Sequence, residues 1–187
     1  MSKLEWKPGT MIYPVPPVMV SCGNMKNSNI LTIAWTGILC TDPATTYISI
    51  RKERYSYDII KNSGEFVINL ASSNIAKYVD FCGVRSGKNI DKFKECNLTK
   101  EKAFHVNCPV IKECPINIEC KVKEIKELGT HDMFIAEILS VNVDDKYLDS
   151  TGRFDMESCD LIAYSHGQYY KLGDKLGKFG FSVEKKK

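Results

Sequence analysis

The strongest constraint in this chain is a series of short apolar segments, each too brief for an ordinary helix and each closed by turn-forming residues. VMVSCG (18–23), ILTIAWTG (30–37), TTYISIR (45–51) and EFVINL (65–70) run for six to eight residues, which is strand length. MKNSN and the Asp42-Pro43 step supply the turns between the first three. Between the third and fourth strands a short helix is predicted from about Tyr55 to Asn62, with Gly64 just past its end, where a left-handed residue closes a helix. The second half reads as a hairpin: a long strand from Ile116 to Leu128, a turn at GTHD, and a buried strand MFIAEILSVNV (133–143), apolar on both faces in its middle. A last strand, QYYKL (168–172), precedes a glycine-spaced tail.

Helices are few and short. Ser72 or Ser73 caps one running to about Cys82, GVRSGKN (83–89) follows as a loop, and DKFKEC (91–96) is a short helix. Neither a repeat nor a composition break divides residues 1–187, so one domain is expected. The fold class that follows is mainly β: a closed or nearly closed β-barrel with a few short helices.

Composition limits what such a barrel does. Of 187 residues 43% are hydrophobic and 26% charged, an ordinary balance that excludes a disordered chain. No apolar stretch approaches the ~20 residues of a spanning helix, and MSKLEWKPG lacks the apolar core of a secretion signal. A cytoplasmic chain with no membrane partner is expected. A net charge of +3 is too small to imply nucleic acid, and the basic residues mostly alternate with acidic ones, as in KVKEIKE (121–127). The tail Lys185 to Lys187 reads as a frayed terminus. Eight cysteines in a chain without an export signal read as reduced thiols. Cys108, Cys114 and Cys120 with His105 lack the C-x2-C spacing of a zinc knuckle, so no metal is expected.

Strand parity places the chemistry. In ILTIAWT, Leu31, Ile33 and Trp35 share one face and Thr32, Ala34 and Thr36 the other; in YISIR, Ile48 and Ile50 oppose Tyr47, Ser49 and Arg51. Aligned on one sheet, Thr32, Ala34, Thr36 and Ser49 form a flat platform with Arg51 at its end. Parity leaves two readings open, a support for a planar ring carrying a phosphate tail and a merely solvent-tolerant face. The basic knot SIRKERYS (49–56) carries the same ambiguity. Arg51, Lys52 and Arg54 precede a helix whose first N–H groups and dipole favour an anion, and Ser56 offers a hydroxyl. Equally, Ser56 is placed to be the N-cap and Asp58 to complement the dipole. GVRSGKN is not a P-loop, Gly173, Gly177 and Gly180 do not keep dinucleotide-fold spacing, and His105, His131 and His166 each stand alone.

The order NILTIAWTG, TDPATTYISIRKERYSYDIIKNSGEFVINL, FCGVRSGKNIDKF and SHGQYYKLGDKLGKFGFSV resembles the flavin-reductase-like family of FMN-binding split β-barrels, particularly its flavoredoxin branch, from about Met11 to Val183. The resemblance implies a homodimer of Greek-key split barrels, each holding one FMN near the interface. Asn29, Thr32, Ala34, Trp35 and Thr36 would line the flavin, and Ser49, Ile50 and Arg51 would continue that wall. Lys52, Arg54, Tyr55 and Ser56 would meet the phosphate and ribityl chain. The loop with Cys82, Gly83, Ser86, Gly87 and Lys88 would close over the cofactor, and His166 would sit beside the ring or the hydride donor. Cys82 has a second reading, as a buried packing residue.

Three functions follow as expectations. The first is an NAD(P)H-dependent flavin reductase, in which hydride from NADH or NADPH reaches flavin N5. The second is an FMN electron carrier serving a redox protein partner without a nicotinamide site. The third is a barrel that binds some other phosphorylated ligand.

Overall fold

The computed structural model describes residues 1–183; the Lys185 to Lys187 tail lies outside them. Strands β1 (Val18–Gly23), β2 (Ser28–Ile33), β3 (Thr36–Cys40) and β4 (Thr45–Arg51) lead into helix α1 (Ser56–Ser63) and strand β5 (Glu65–Leu70). Helices α2 (Ala76–Val84) and α3 (Lys92–Glu95) and the short strands β6 (Lys100–Lys102) and β7 (Pro109–Ile111) follow. The long hairpin is β8 (Ile116–Glu127) and β9 (His131–Val143), and β10 (Ile162–Ser165) pairs with β11 (Gln168–Lys171) near the C-terminus.

Seven strands form one antiparallel sheet in the order β2-β1-β5-β8-β9-β4-β3. Its two edges, β2 and β3, are consecutive pieces of chain separated only by Ala34 and Trp35. The sheet therefore curls round, and Ser49 N–H donates to Trp35 C=O at 2.9 Å, carrying the β3–β4 ladder back into the bend. The single strand expected over 30–37 is thus two, because residues that must pair with β1 and then with β4 cannot stay straight.

The bend also resets parity. Leu31 and Ile33 point into the barrel with Ile48, Ile50, Phe66, Ile68 and Phe134. Trp35 leaves that interior, while Thr36 becomes buried and its hydroxyl donates to Tyr47 C=O at 2.6 Å. α1 closes one end of the barrel with Tyr57 and Ile60, and Gly64, at φ 68°, donates back to Ile60 C=O at 2.8 Å. Each such aliphatic side chain taken from water stabilises the fold by about 1.5–3 kcal/mol.

A second core lies outside the barrel. Met19 and Ile30, from the outer faces of β1 and β2, pack against Ile75, Val79 and Cys82 around α2 and against Phe93 of α3. A 3-10 turn at Ser73–Ile75 precedes α2, so this helix starts later than either serine suggests. β6, β7 and β10 carry no turn-bounded alternation in sequence and emerge only in the structure. β9 also differs from expectation: Phe134 and Ala136 are buried, but Val141 is 54% exposed.

Between β8 and the 103–108 loop sits a buried carboxylate. Glu119, at 0% exposure, accepts Phe104 N–H at 2.8 Å, His105 N–H at 2.6 Å, Val106 N–H at 3.2 Å and Asn142 Nδ2 at 2.7 Å. Burial works to raise its pKa, but these four donors outweigh burial and hold it below the usual carboxylate value.

Candidate functional site

The bend between β2 and β3 opens a cleft of ≈ 340 Å³ against β4, α2 and the C-terminal hairpin. Thr32, Ala34, Trp35, Ser49, Ile50 and Arg51 line it, so four of the five parity-predicted platform residues meet there. Thr36 is the exception, being displaced by the bend. α2 covers part of the platform: Thr32 Oγ1 donates to Val79 C=O at 2.5 Å. A Cβ at Gly83 would lie 3.3 Å from that of Thr32, tight enough that the helix comes close only because this residue is glycine.

Leu31 and Arg54 are shared with a smaller pocket of ≈ 150 Å³, lined also by Asn29, Glu53, Tyr55, Ser56, Arg85, Ser86, Gly87 and Lys92. Ser56 is not the N-cap. Tyr55 holds that position in helical conformation, without a side-chain cap bond among the described residues. Ser56 is instead the first helical residue, buried, its Oγ accepting Asn29 Nδ2 at 2.8 Å. Gly87 passes so close that a Cβ there would stand 2.0 Å from Asn29 Oδ1. The pocket thus has a cradle that any side chain at position 87 would fill.

Lys92 is the pocket's buried charge. Its side chain is 2% exposed, and Nζ donates to Ile30 C=O and Cys82 C=O, each at 2.7 Å. An ammonium has three N–H donors, and among the described residues no carboxylate pairs with this one. Burial pulls its pKa below the ordinary lysine value. A buried cation without a counter-ion is costly unless an anion completes it. Arg54 stands at the junction of both cavities, with Nη1 donating to Gly83 C=O at 3.4 Å.

Arg85, exposed, lines the smaller pocket as well, whereas two cations of the basic knot are already engaged. Arg51 Nε lies 2.7 Å from Glu53 Oε1, although Arg51 still lines the cleft. Lys52 turns away to Glu127 at 3.4 Å and Asp132 at 3.5 Å and lines neither cavity. Asp132 is buried, its Oδ2 accepting the Tyr57 hydroxyl at 2.5 Å, which pushes the Tyr57 pKa up to about 12. Its Oδ1 finds no partner among the described residues.

Besides Thr36 and Lys52, three predicted residues stand elsewhere. The Cys82 thiol is buried in the outer core with its pKa pushed up to about 12 by burial, which suits packing and not thiolate chemistry. Lys88 faces a neighbouring hollow. His166, exposed at a turn with φ 47°, stacks edge-on to Tyr13 at 6.1 Å and does not line the cleft. Sequence reasoning missed Lys92, Asp80, Tyr164, Tyr169 and His131, all on the walls. His131 faces Arg51 across β4 and β9, and burial followed by the Arg51 charge lowers its pKa. Its one sequence signal was its place in the GTHD turn, which brings it to the end of β4.

Known proteins share this fold. The flavin reductase like domain family matches residues 10–173. Flavoredoxin of Desulfovibrio vulgaris (Miyazaki F) is 34% identical and superposes with a TM-score of 0.88, covering 97% of this chain and 99% of its own. Flavoredoxin from Methanosarcina acetivorans is 26% identical with a TM-score of 0.87, covering 98% and 100%. An uncharacterised protein of Archaeoglobus fulgidus is 33% identical over 138 residues, 74% of this chain and 77% of that protein.

Proposed function

The chain belongs to the flavin reductase-like family and has its FMN-binding split-barrel fold, and from that premise we propose that it is an NAD(P)H-dependent flavin reductase working on bound FMN. The observation that supports this reading is the uncompensated Lys92 charge in a pocket that runs directly into a ring-sized cleft. FMN fits both parts: Lys92, Arg54, Ser56 and the Gly87 cradle would hold its phosphate, and Ala34, Trp35 and Ser49 would back its ring. When bound, FMN supplies the hydride-accepting chemistry.

The chain's own residues then orient and polarise. The Ser49 to Trp35 hydrogen bond fixes the wall behind the ring, so the open side of the cleft, bordered by Tyr164 and Tyr169, is left for a donor. His131 and Arg51 put polar hydrogens on the same cleft, where negative charge that grows on reduction is stabilised. No side chain need form a covalent bond.

A second reading is favoured by the two flavoredoxins among its relatives: an FMN electron carrier for a redox protein partner. One experiment separates them. The purified protein, loaded with FMN, is titrated anaerobically with NADH and with NADPH while its absorption is followed. Rapid bleaching of the flavin band by either supports the reductase; no bleaching, with fast reduction by a ferredoxin-like protein, supports the carrier. A chain that retains no FMN defeats both.

The same reading includes a homodimer. Beside the cleft, and sharing Ala34, Trp35 and Ser49 with it, lies an apolar hollow of ≈ 660 Å³ lined by Met11, Ile12, Leu39 and Leu128, which supports a second copy seated there. Sedimentation equilibrium is expected to give twice the chain mass, and Ile12→Asp to shift it to one.

A further inference from the structure

The ring cleft carries charges of both signs, and they are not mixed. Arg51 of β4 and His131 of β9 are opposite each other on the sheet side. Arg54 stands at the end that joins the anion pocket, reaching Gly83 C=O. Asp80 of α2 is the one carboxylate lining this cleft among the described residues.

Asp80 is tied to the open side. Burial, then the Asp80 charge and a hydrogen bond to Asp80, push the Tyr169 pKa up to about 12. The Tyr169 hydroxyl thus keeps its proton at neutral pH and donates it to the carboxylate. Tyr164 stands edge-on to Tyr169, with ring centroids 5.3 Å apart, so two aromatic rings border the cleft beside Asp80. Asp80 is exposed and enters none of the ion pairs found among the described residues. Aromatic rings next to a carboxylate suit a planar cation, which both attract.

Hydride transfer creates such a cation. The donor ring gives up hydride from C4, with both electrons of that C–H bond, to flavin N5 and is left a pyridinium. Negative charge passes to the acceptor, which Arg51 and His131 face, and positive charge is left on the donor. We propose that Asp80 is a catalytic residue of the donor half of the cleft, its carboxylate stabilising the positive charge that develops on the nicotinamide ring. This rests on the reductase reading and adds to it the group that favours a donor turning cationic.

The test uses FMN-loaded protein and its Asp80→Asn and Asp80→Glu variants. Asparagine retains an acceptor for the Tyr169 hydroxyl and loses the charge, so position and charge are separated. The first readout is binding, at constant ionic strength, of the 1-methylnicotinamide cation and of neutral nicotinamide, followed through the flavin absorption band. Asp80→Asn should weaken the cation by about threefold to fivefold, the scale of an exposed ion contact, and the neutral ring by less than about twofold. Asp80→Glu should restore most of the cation's affinity. The second readout is the anaerobic rate of flavin bleaching at saturating NADH or NADPH. It should fall by about threefold in Asp80→Asn, while bleaching by dithionite is unchanged. Equal losses for the cation and the neutral ring, or no loss for either, overturn the Asp80 proposal alone. Wild-type protein that binds FMN but is bleached by neither nucleotide overturns the reductase reading and the proposal with it.

Discussion

Two buried charges stand on either side of this molecule, and only one of them is finished. Glu119 holds together the 103–108 loop with four donors divided between its two oxygens. Lys92 has two backbone carbonyls and no carboxylate, and it borders a pocket. Both are almost wholly buried, at 0% and 2% exposure, so burial alone does not separate structure from function. What separates them is whether the fold itself supplies the partners. A buried ion whose hydrogen-bonding capacity is filled within the chain is an architectural element, whereas one left short is a site awaiting a ligand.

Substitution breaks the comparison most sharply on the Glu119 side. Glu119→Ala removes the acceptor of three backbone N–H groups, that of Val106 buried and those of Phe104 and His105 part-buried, at a cost of about 3 kcal/mol. Urea unfolding should read that loss, while the protein that remains folded binds FMN as before. Loss of FMN affinity without loss of stability would make Glu119 part of the site. Lys92→Met should do the reverse. Removing a charge-assisted contact to phosphate weakens FMN by about tenfold to a hundredfold. Stability should change by no more than about 1 kcal/mol, because an apolar chain of similar length replaces a costly ion. A large fall in stability with unaltered FMN affinity would return Lys92 to the architecture.

Acid and alkali should find the same division. The Glu119 pKa is lowered in the folded state, so its contribution is present above the unfolded carboxylate pKa and is lost as pH falls through the folded one. The Lys92 pKa is also lowered, and an anion binds only its protonated form. FMN affinity should therefore decline as pH rises through the Lys92 pKa, with no parallel fall in stability from that group, since deprotonation relieves a buried charge. Equilibrium dialysis of FMN across the alkaline range measures it, and Lys92→Met should lack the decline.

The same contrast explains what could be read from sequence. β4 was legible residue for residue, because Thr45 to Arg51 alternate and a proline turn precedes them. The platform was legible as far as Ala34, beyond which closure of the barrel bends the chain and moves Thr36 out of register, a demand made by β1 and β4 together. Lys92 was not legible at all. DKFKEC looks like a short surface helix with lysines on its wet side, and only the docking of α3 against β2, which brings Lys92 to Ile30 across 62 residues, buries one of them. Position His131 depends in the same way on β9 lying beside β4.

The smallest expected effect concerns the residue that opened the basic knot. Charge alone ranks Arg51 with Lys92 as an anion holder, but Arg51 already has Glu53 at 2.7 Å and its side chain is 50% exposed. Its charge is largely screened by water and by that partner before any ligand arrives. Arg51→Ala should thus weaken FMN by about threefold or less, the worth of an exposed ion contact. Glu53→Gln, which releases the guanidinium, should strengthen FMN by a similar factor if Arg51 reaches the ligand. Should Arg51→Ala instead cost as much as Lys92→Met, the distinction between partnered and unpartnered cations would fail at the point where it is easiest to test.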